Sequence, residues 1–172
     1  MATHACERIR IPPLWDTEFK NLEYITESFN DPASLEFWAG AGYSGKFVGD
    51  MADMRGKQPV WNPYILGYFH ERGWKDIGTS YYRMNTGTIL PTHGDLYKKY
   101  IDVFKLQGQE HTIRRAVIFL EDWQSGHYLE CDTEAIVHWH AGDGVVWKYD
   151  TPHMAANLGL TPRYTVQVTG HI

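Results

Sequence analysis

The chain is poor in cysteine, with only Cys6 and Cys131, and these show neither a Cys-x-x-Cys spacing nor the pattern of a disulfide framework. That excludes a cysteine-stapled scaffold and predicts free thiols in a reduced, cytoplasmic setting. Basic residues are also in the minority, since 16 Lys and Arg stand against 21 Asp and Glu, for a formal net charge of −5. Lys98-Lys99 and Arg114-Arg115 are local pairs, and no basic stripe offers a nucleic-acid-binding surface. No apolar run has the length of a signal or membrane segment, so no membrane partner is expected. Internal repeats and low-complexity tracts are lacking too. Nothing in these patterns sets an oligomeric state.

What is present is a chain of 172 residues, 43% hydrophobic and 15% aromatic, enough for one domain with a sizeable core. Within it, residues 1–77 read as a helical and loop buttress and residues 78–170 as a β-rich core. Near the N-terminus, Ile9-Arg10-Ile11 is a short strand broken by Pro12-Pro13. Asp31-Pro32 then supplies an N-cap and a first-turn proline for a helix through Trp38. Asn62-Pro63 starts a second helix, through Arg72, that Gly73 can end. The apolar faces of both should cover a sheet. Between them, Gly40 to Val60 has no periodicity and reads as a loop, either a mobile cover or a plain connection.

From Thr79 onward, alternation and turn residues mark strands at about 78–85, 88–93, 112–120, 126–130, 134–139, 144–148, 151–156 and 163–170. About eight strands suit a mainly β double-stranded β-helix, the jelly-roll or cupin-like fold, flanked by N-terminal helices. The stretch Leu96 to Glu110 is long enough to be a lid or a helical turn.

On such strands His93-Gly94-Asp95 would place two metal ligands on one face, with His153, 58 positions after Asp95, brought in by the folding of the sheet. Two imidazoles and one carboxylate on one side of an octahedron are the arrangement of non-haem Fe(II) oxygenases. The rival set is a cupin-type cluster of His138, His140 and His153, which would make the chain a non-catalytic metal- or ligand-binding protein. In the last strand Arg163, Thr165 and Gln167 alternate with Tyr164, Val166 and Val168. With helices over the outer face, Arg163 and Thr165 point inward, a guanidinium fork and a hydroxyl suited to a carboxylate. Arg115, in line with Val117 and Phe119, would be an inward arginine needing an anion such as a substrate carboxylate. Tyr82, Tyr97 and Trp123 are placed near the cavity, and His127 is either substrate-facing or exposed.

His93-x-Asp95, His153 and Arg163-x-Thr165, in that order, resemble the Fe(II)/2-oxoglutarate-dependent oxygenase superfamily. The runs Arg115-Ala116-Val117-Ile118-Phe119-Leu120, Trp139-His140-Ala141-Gly142-Asp143 and Pro152-His153-Met154-Ala155-Ala156-Asn157 are similar to its aspartyl/asparaginyl β-hydroxylase and bacterial proline-hydroxylase branch, over about residues 80–170. Val117 departs from it, standing where many members carry a second basic residue. The resemblance implies Fe(II) on His93, Asp95 and His153, 2-oxoglutarate on Arg163 and Thr165, and O2 as oxidant. It implies hydroxylation of an aliphatic C–H in a small amino acid or peptidyl residue, with release of succinate and CO2. Halogenating relatives have a small residue in place of the carboxylate, so Asp95 favours hydroxylation.

Overall fold

The computed structural model describes residues 6–53 and 56–172. Among the described residues, eleven strands form two antiparallel sheets that face each other in a double-stranded β-helix, without closing into a barrel. The strands are β1 (Cys6–Arg10), β2 (Tyr24–Ser28), β3 (Val48–Ala52), β4 (Lys75–Met84), β5 (Ile89–His93), β6 (Ile113–Phe119), β7 (His127–Cys131), β8 (Glu134–Ile136), β9 (Asp143–Lys148), β10 (His153–Asn157) and β11 (Arg163–His171). The larger sheet has the order β1-β9-β6-β11-β4-β3-β2 and the smaller β5-β10-β7-β8. Three α-helices accompany them in the described residues, α1 (Pro32–Gly40), α2 (Asn62–His70) and α3 (Lys98–Phe104). No helix among the described residues is long and apolar enough to cross a membrane.

All eight strands expected after Thr79 are present, because each alternates side chains between a packed outer face and an inner one. The outer face of the larger sheet carries Tyr81, Ala116, Ile118, Val166 and Val168, packed against Ile65 and Phe69 of α2 and against Phe19 and Trp61. The inner face meets the smaller sheet in a second core of Val117, Phe119, Leu129, Ile136, Trp139, Val145 and Trp147. Phe119 and Trp139 stack there at 3.7 Å between ring centroids. β8 stops at Ile136, short of the expected 139, because His138 takes a positive φ of 57° that strands exclude.

The N-terminal part departs further from expectation. β1, β2 and β3 all join the larger sheet, so this part supplies strands as well as helices and loops. Gly40 to Val60, expected as loop, contains β3, which pairs with both β2 and β4; residues 54 and 55 of that stretch lie outside the described part. α1 forms as its cap predicts, with the Asp31 carboxylate accepting from the Ser34 amide at 3.0 Å. Its one buried residue, Trp38, donates from Nε1 to the Thr92 carbonyl at the end of β5. α3 lies in the segment expected to be a lid or a helical turn, and this segment is anchored through Tyr97, Tyr100, Ile101 and Leu106 against Ile113 and Tyr149.

The expectation of two free thiols is corrected. Cys6 and Cys131 form a disulfide with Cα atoms 6.4 Å apart, tying edge strand β1 of the larger sheet to β7 of the smaller one. A bond between residues 125 positions apart has no local spacing signal, and it removes the thiol-based support for a reducing compartment.

Candidate metal centre

β5 and β10 run antiparallel in a register that sets His93 directly opposite His153, with ring centroids 4.4 Å apart. Both rings are oriented by the same local device. His93 Nδ1 bonds the Pro91 carbonyl at 2.7 Å, and His153 Nδ1 bonds the Thr151 carbonyl at 3.0 Å. A carbonyl only accepts, so each Nδ1 carries a proton, and in the neutral ring Nε2 keeps a lone pair. The backbone thus selects the tautomer that a metal ligand requires.

Asp95 reaches the same point by a route other than strand alternation. The strand ends at His93, and Asp95 enters from the coil after Gly94, where a side chain would come within 3.0 Å of the Asp150 carboxylate. Asp95 Oδ2 lies 3.9 Å from His153 Nε2, and ligand atoms of His93, Asp95 and His153 all fall within 4.8 Å of one another. No other trio of His, Cys, Asp or Glu among the described residues is gathered this closely. Burial pushes His153 down to about 4, with the Asp95 carboxylate opposing, so the ring is neutral at neutral pH. Burial alone would raise Asp95, but Arg115, His153 and His93 hold it below the usual carboxylate range.

The rival histidine set does not assemble. His138 and His140 are exposed, one against the Trp123 ring at 4.3 Å and the other 3.6 Å from Asp122, whereas His153 is buried between the sheets.

The trio opens into a cavity of about 310 Å³ lined on the larger sheet by Tyr82, Met84, Arg115, Val117, Arg163, Thr165 and Gln167. Arg163 and Thr165 are both buried. Arg163 Nη1 donates to the Tyr128 carbonyl at 2.6 Å, its Nε has no partner, and no carboxylate among the described residues pairs with it. Burial without a counter-ion pushes it down to about 10. Among the described residues, the buried side-chain polar atoms left without a partner are Tyr97 Oη, Arg115 Nε, Trp147 Nε1 and Arg163 Nε. Three of these four belong to residues that line this one cavity.

The remaining sequence candidates divide. Arg115 and Tyr82 line the cavity, and Tyr97 packs under the Arg115 guanidinium with its ring centroid 5.0 Å away. Trp123 and His127 do not line it. Trp123 donates to the His127 carbonyl, and His127 is buried rather than exposed, with Nε2 against the Thr161 carbonyl. Sequence reasoning missed Trp147, whose ring packs 4.7 Å from His153, and the part of the cavity wall that Phe29, Phe47 and Met51 form, with the Phe29 ring 5.1 Å from that of His93. Gln167 was legible as the next inward position after Thr165. The β2–β3 wall had no comparable signal.

Fold and site together define a double-stranded β-helix protein with two buried histidines and a partly buried aspartate clustered in a cavity that Arg115 and Arg163 also line. No family model matches the chain, and no curated protein matches it in sequence. Solved structures do match in shape. A prolyl-4-hydroxylase from Pseudomonas putida superposes with a TM-score of 0.59 at 16% identity, covering 99% of this chain and 94% of that one. A 2OG-Fe(II) oxygenase family oxidoreductase from Burkholderia pseudomallei gives 0.57 at 11% identity, covering 97% and 85%. At such identities the likeness establishes a shared fold.

Proposed function

We propose that this protein is an Fe(II)- and 2-oxoglutarate-dependent oxygenase of the superfamily its motifs resemble, in the β-hydroxylase and proline-hydroxylase branch. Its reaction on this reading is hydroxylation of an aliphatic C–H in a small amino acid or similar polar metabolite. The observation that carries the reading is the coincidence, in one cavity, of three convergent metal ligands and a buried arginine with no anion.

The donor set fits the ion. Two imidazoles and a carboxylate suit a divalent first-row metal, and an ion held by them would face the cavity that they line. The cavity fits the co-substrate, because a dicarboxylate would supply the charge that Arg163 lacks, with Thr165 on the same face of β11 as a second donor. Bound together, Fe(II), 2-oxoglutarate and O2 supply an oxidant able to remove hydrogen from an unactivated carbon, with succinate and CO2 as by-products. The chain's part is positional. His93 and His153 hold their Nε2 atoms fixed, Asp95 contributes the negative charge, and Met84, Val117, Leu129 and Ala155 wall the site with apolar surface that limits water. The volume, about 310 Å³, is at the small end for ligand sites and favours a small-molecule substrate over a folded partner.

The test is anaerobic titration of the Fe(II)-loaded protein with 2-oxoglutarate, followed in the visible range, and then admission of O2 with assay of succinate. A charge-transfer band and O2-dependent succinate are expected, and both should be lost in Asp95→Asn. A wild-type protein that binds Fe(II) but shows neither response to 2-oxoglutarate would sink the proposal.

A further inference from the structure

Tyr97 breaks two local rules at once. It opens α3, its carbonyl accepting from the Ile101 amide at 2.8 Å, yet it makes no side-chain cap at a position that favours Ser, Thr, Asp or Asn. Its backbone is left-handed, with φ at 50° and ψ at 22°, a conformation that a bulky L residue rarely takes. Such a residue persists only where the surrounding structure holds it, and local rules are broken in this way at functional sites. In this conformation the ring lies under the Arg115 guanidinium, 5.0 Å from the ring centroid, and only 9% of the residue is exposed. The hydroxyl is buried there without a hydrogen-bond partner.

Asp95, two residues earlier, is the least fixed of the three proposed ligands. His93 and His153 sit at strand ends, and each is oriented by a carbonyl on its Nδ1. Asp95 lies in coil, and Arg115 Nη2 meets its Oδ2 at 3.3 Å, the oxygen that also faces His153. A ligating carboxylate is normally held by a hydrogen bond of its own, and loss of such a bond costs metal affinity. The Tyr97 hydroxyl is a nearby donor with nothing to bond. Burial disfavours the Asp95 anion, and the groups that hold it low are Arg115, His153, His93 and this hydroxyl. Burial also pushes the phenol up, with Arg115 opposing and Asp95 adding to the rise, so the proton stays on it. Arg115 carries donors only, one of which, Nε, is itself without a partner. Toward Arg115 the phenol oxygen can therefore only accept, and its one proton is left for Asp95.

We propose, resting on the reading of His93, Asp95 and His153 as metal ligands, that Tyr97 is a positioning residue for that site. When Asp95 serves as a ligand, the Tyr97 hydroxyl donates to it and accepts from Arg115, which keeps the carboxylate turned toward the two histidines. Tyr97 does this from outside the cavity, which it does not line. Its ring is fixed on the far side by Leu106, Ile113 and Tyr149, so the α3 segment lends its rigidity to the one ligand that no strand carries. The unfavourable backbone and the unbonded hydroxyl thus have a single explanation.

The test is titration of the whole chain with Co2+, followed in the visible range, for the wild type, Tyr97→Phe and Tyr149→Phe, beside thermal unfolding of each metal-free protein. Tyr97→Phe keeps the ring and removes only the oxygen. It should bind Co2+ about ten- to a hundredfold more weakly, and its visible Co2+ bands should shift because the carboxylate is free to turn. Its metal-free thermal midpoint should stay level or rise, since a buried hydroxyl without a partner has been removed. Tyr149→Phe alters a ring of the same anchor, 6.0 Å from that of Tyr97, and should keep the affinity and bands of the wild type. Unchanged Co2+ affinity and bands in Tyr97→Phe overturn the inference, whether or not the midpoint falls. An equal loss in Tyr149→Phe also overturns it, because the effect would then belong to the anchor and not to the hydroxyl. Should Tyr97→Phe fail to fold, Tyr97→Asn, which suits a left-handed backbone, is read in the same way. A wild type that binds no divalent metal ends the oxygenase reading as well, whereas Co2+ binding indifferent to the Tyr97 hydroxyl ends only this inference.

Discussion

The two faces of β11 divide the labour of the molecule. On the outer face Val166 and Val168 are fully buried and Tyr164 packs beside them, against α2 and the aromatic residues around Phe19. On the inner face Arg163, Thr165 and Gln167 stand in a cavity, and the arginine lacks an anion. One strand thus carries a face that is satisfied by packing and a face that keeps unspent polar capacity, separated by nothing more than strand alternation. The apolar face holds the polar one in place, which is how a buried guanidinium persists at a cost of its own.

Substitution on each face should separate these roles most strongly. Asp95→Asn should abolish metal-dependent turnover, because an amide supplies neither the charge nor the basicity of the carboxylate ligand. On the outer side, Phe69→Ala, at a position 1% exposed, should cost about 3–5 kcal/mol of stability while the folded fraction keeps its metal affinity. Denaturant unfolding beside metal titration checks both. Loss of metal affinity in folded Phe69→Ala would show that the faces are not independent.

The disulfide crosses the comparison, since it joins the two sheets beside the site. Cys131 pairs in register with His153, and Cys6 with Trp147, whose ring packs on His153. The double replacement Cys6→Ser, Cys131→Ser should destabilise the chain by about 2–4 kcal/mol. It should also weaken metal binding, because Trp147 and β10 lose their tie. Unchanged metal affinity in the double variant would restrict the bond to a stabilising role.

Arg163 probes the inner face from the opposite direction. Arg163→Met removes a buried, unpaired charge, so the metal-free protein should gain about 1–4 kcal/mol, less what the hydrogen bond to the Tyr128 carbonyl contributed. The same change should raise the 2-oxoglutarate requirement at least about tenfold. A protein that loses stability and keeps its 2-oxoglutarate affinity would reverse the role assigned to this residue.

These residues also show how far the sequence could be read. The inward set of β11 was legible because Arg, Thr and Gln alternate with Tyr and Val without interruption, and the eight core strands followed from the same signal. His93 and His153 could be matched as ligands, but their directly opposed register depends on the pairing of β5 with β10, which no local pattern encodes. Asp95 joined them although it lies beyond the strand that was expected to carry it. β3 was hidden because Val48-Gly49-Asp50-Met51-Ala52 lacks alternation and takes its strand character from pairing with β2 and β4. Cys6–Cys131 was hidden for a related reason, since its geometry exists only once both sheets have formed.

The smallest effect concerns protons. Burial holds the His153 imidazolium near 4, against 6.5 for the free side chain. Below 6.5 the unfolded chain therefore takes up a proton that the folded chain refuses, and stability falls as pH drops toward 4; above that window the contribution is flat. From pH 7 to pH 5.5 the loss from this one group should be roughly 1 kcal/mol. Asp95 does not obscure it, because a carboxylate held below 3.8 loses its stabilising contribution only at still lower pH. His127 is buried as well and shifted the same way, at a position outside the cavity, so His153→Gln should reduce the slope of the metal-free protein without erasing it. Phe69→Ala should lower the whole stability profile and leave its slope intact, since the outer face carries no proton equilibrium of this kind. Urea unfolding at closely spaced pH values distinguishes the two, and a slope unchanged by His153→Gln would mean that this ring is solvated in the native protein.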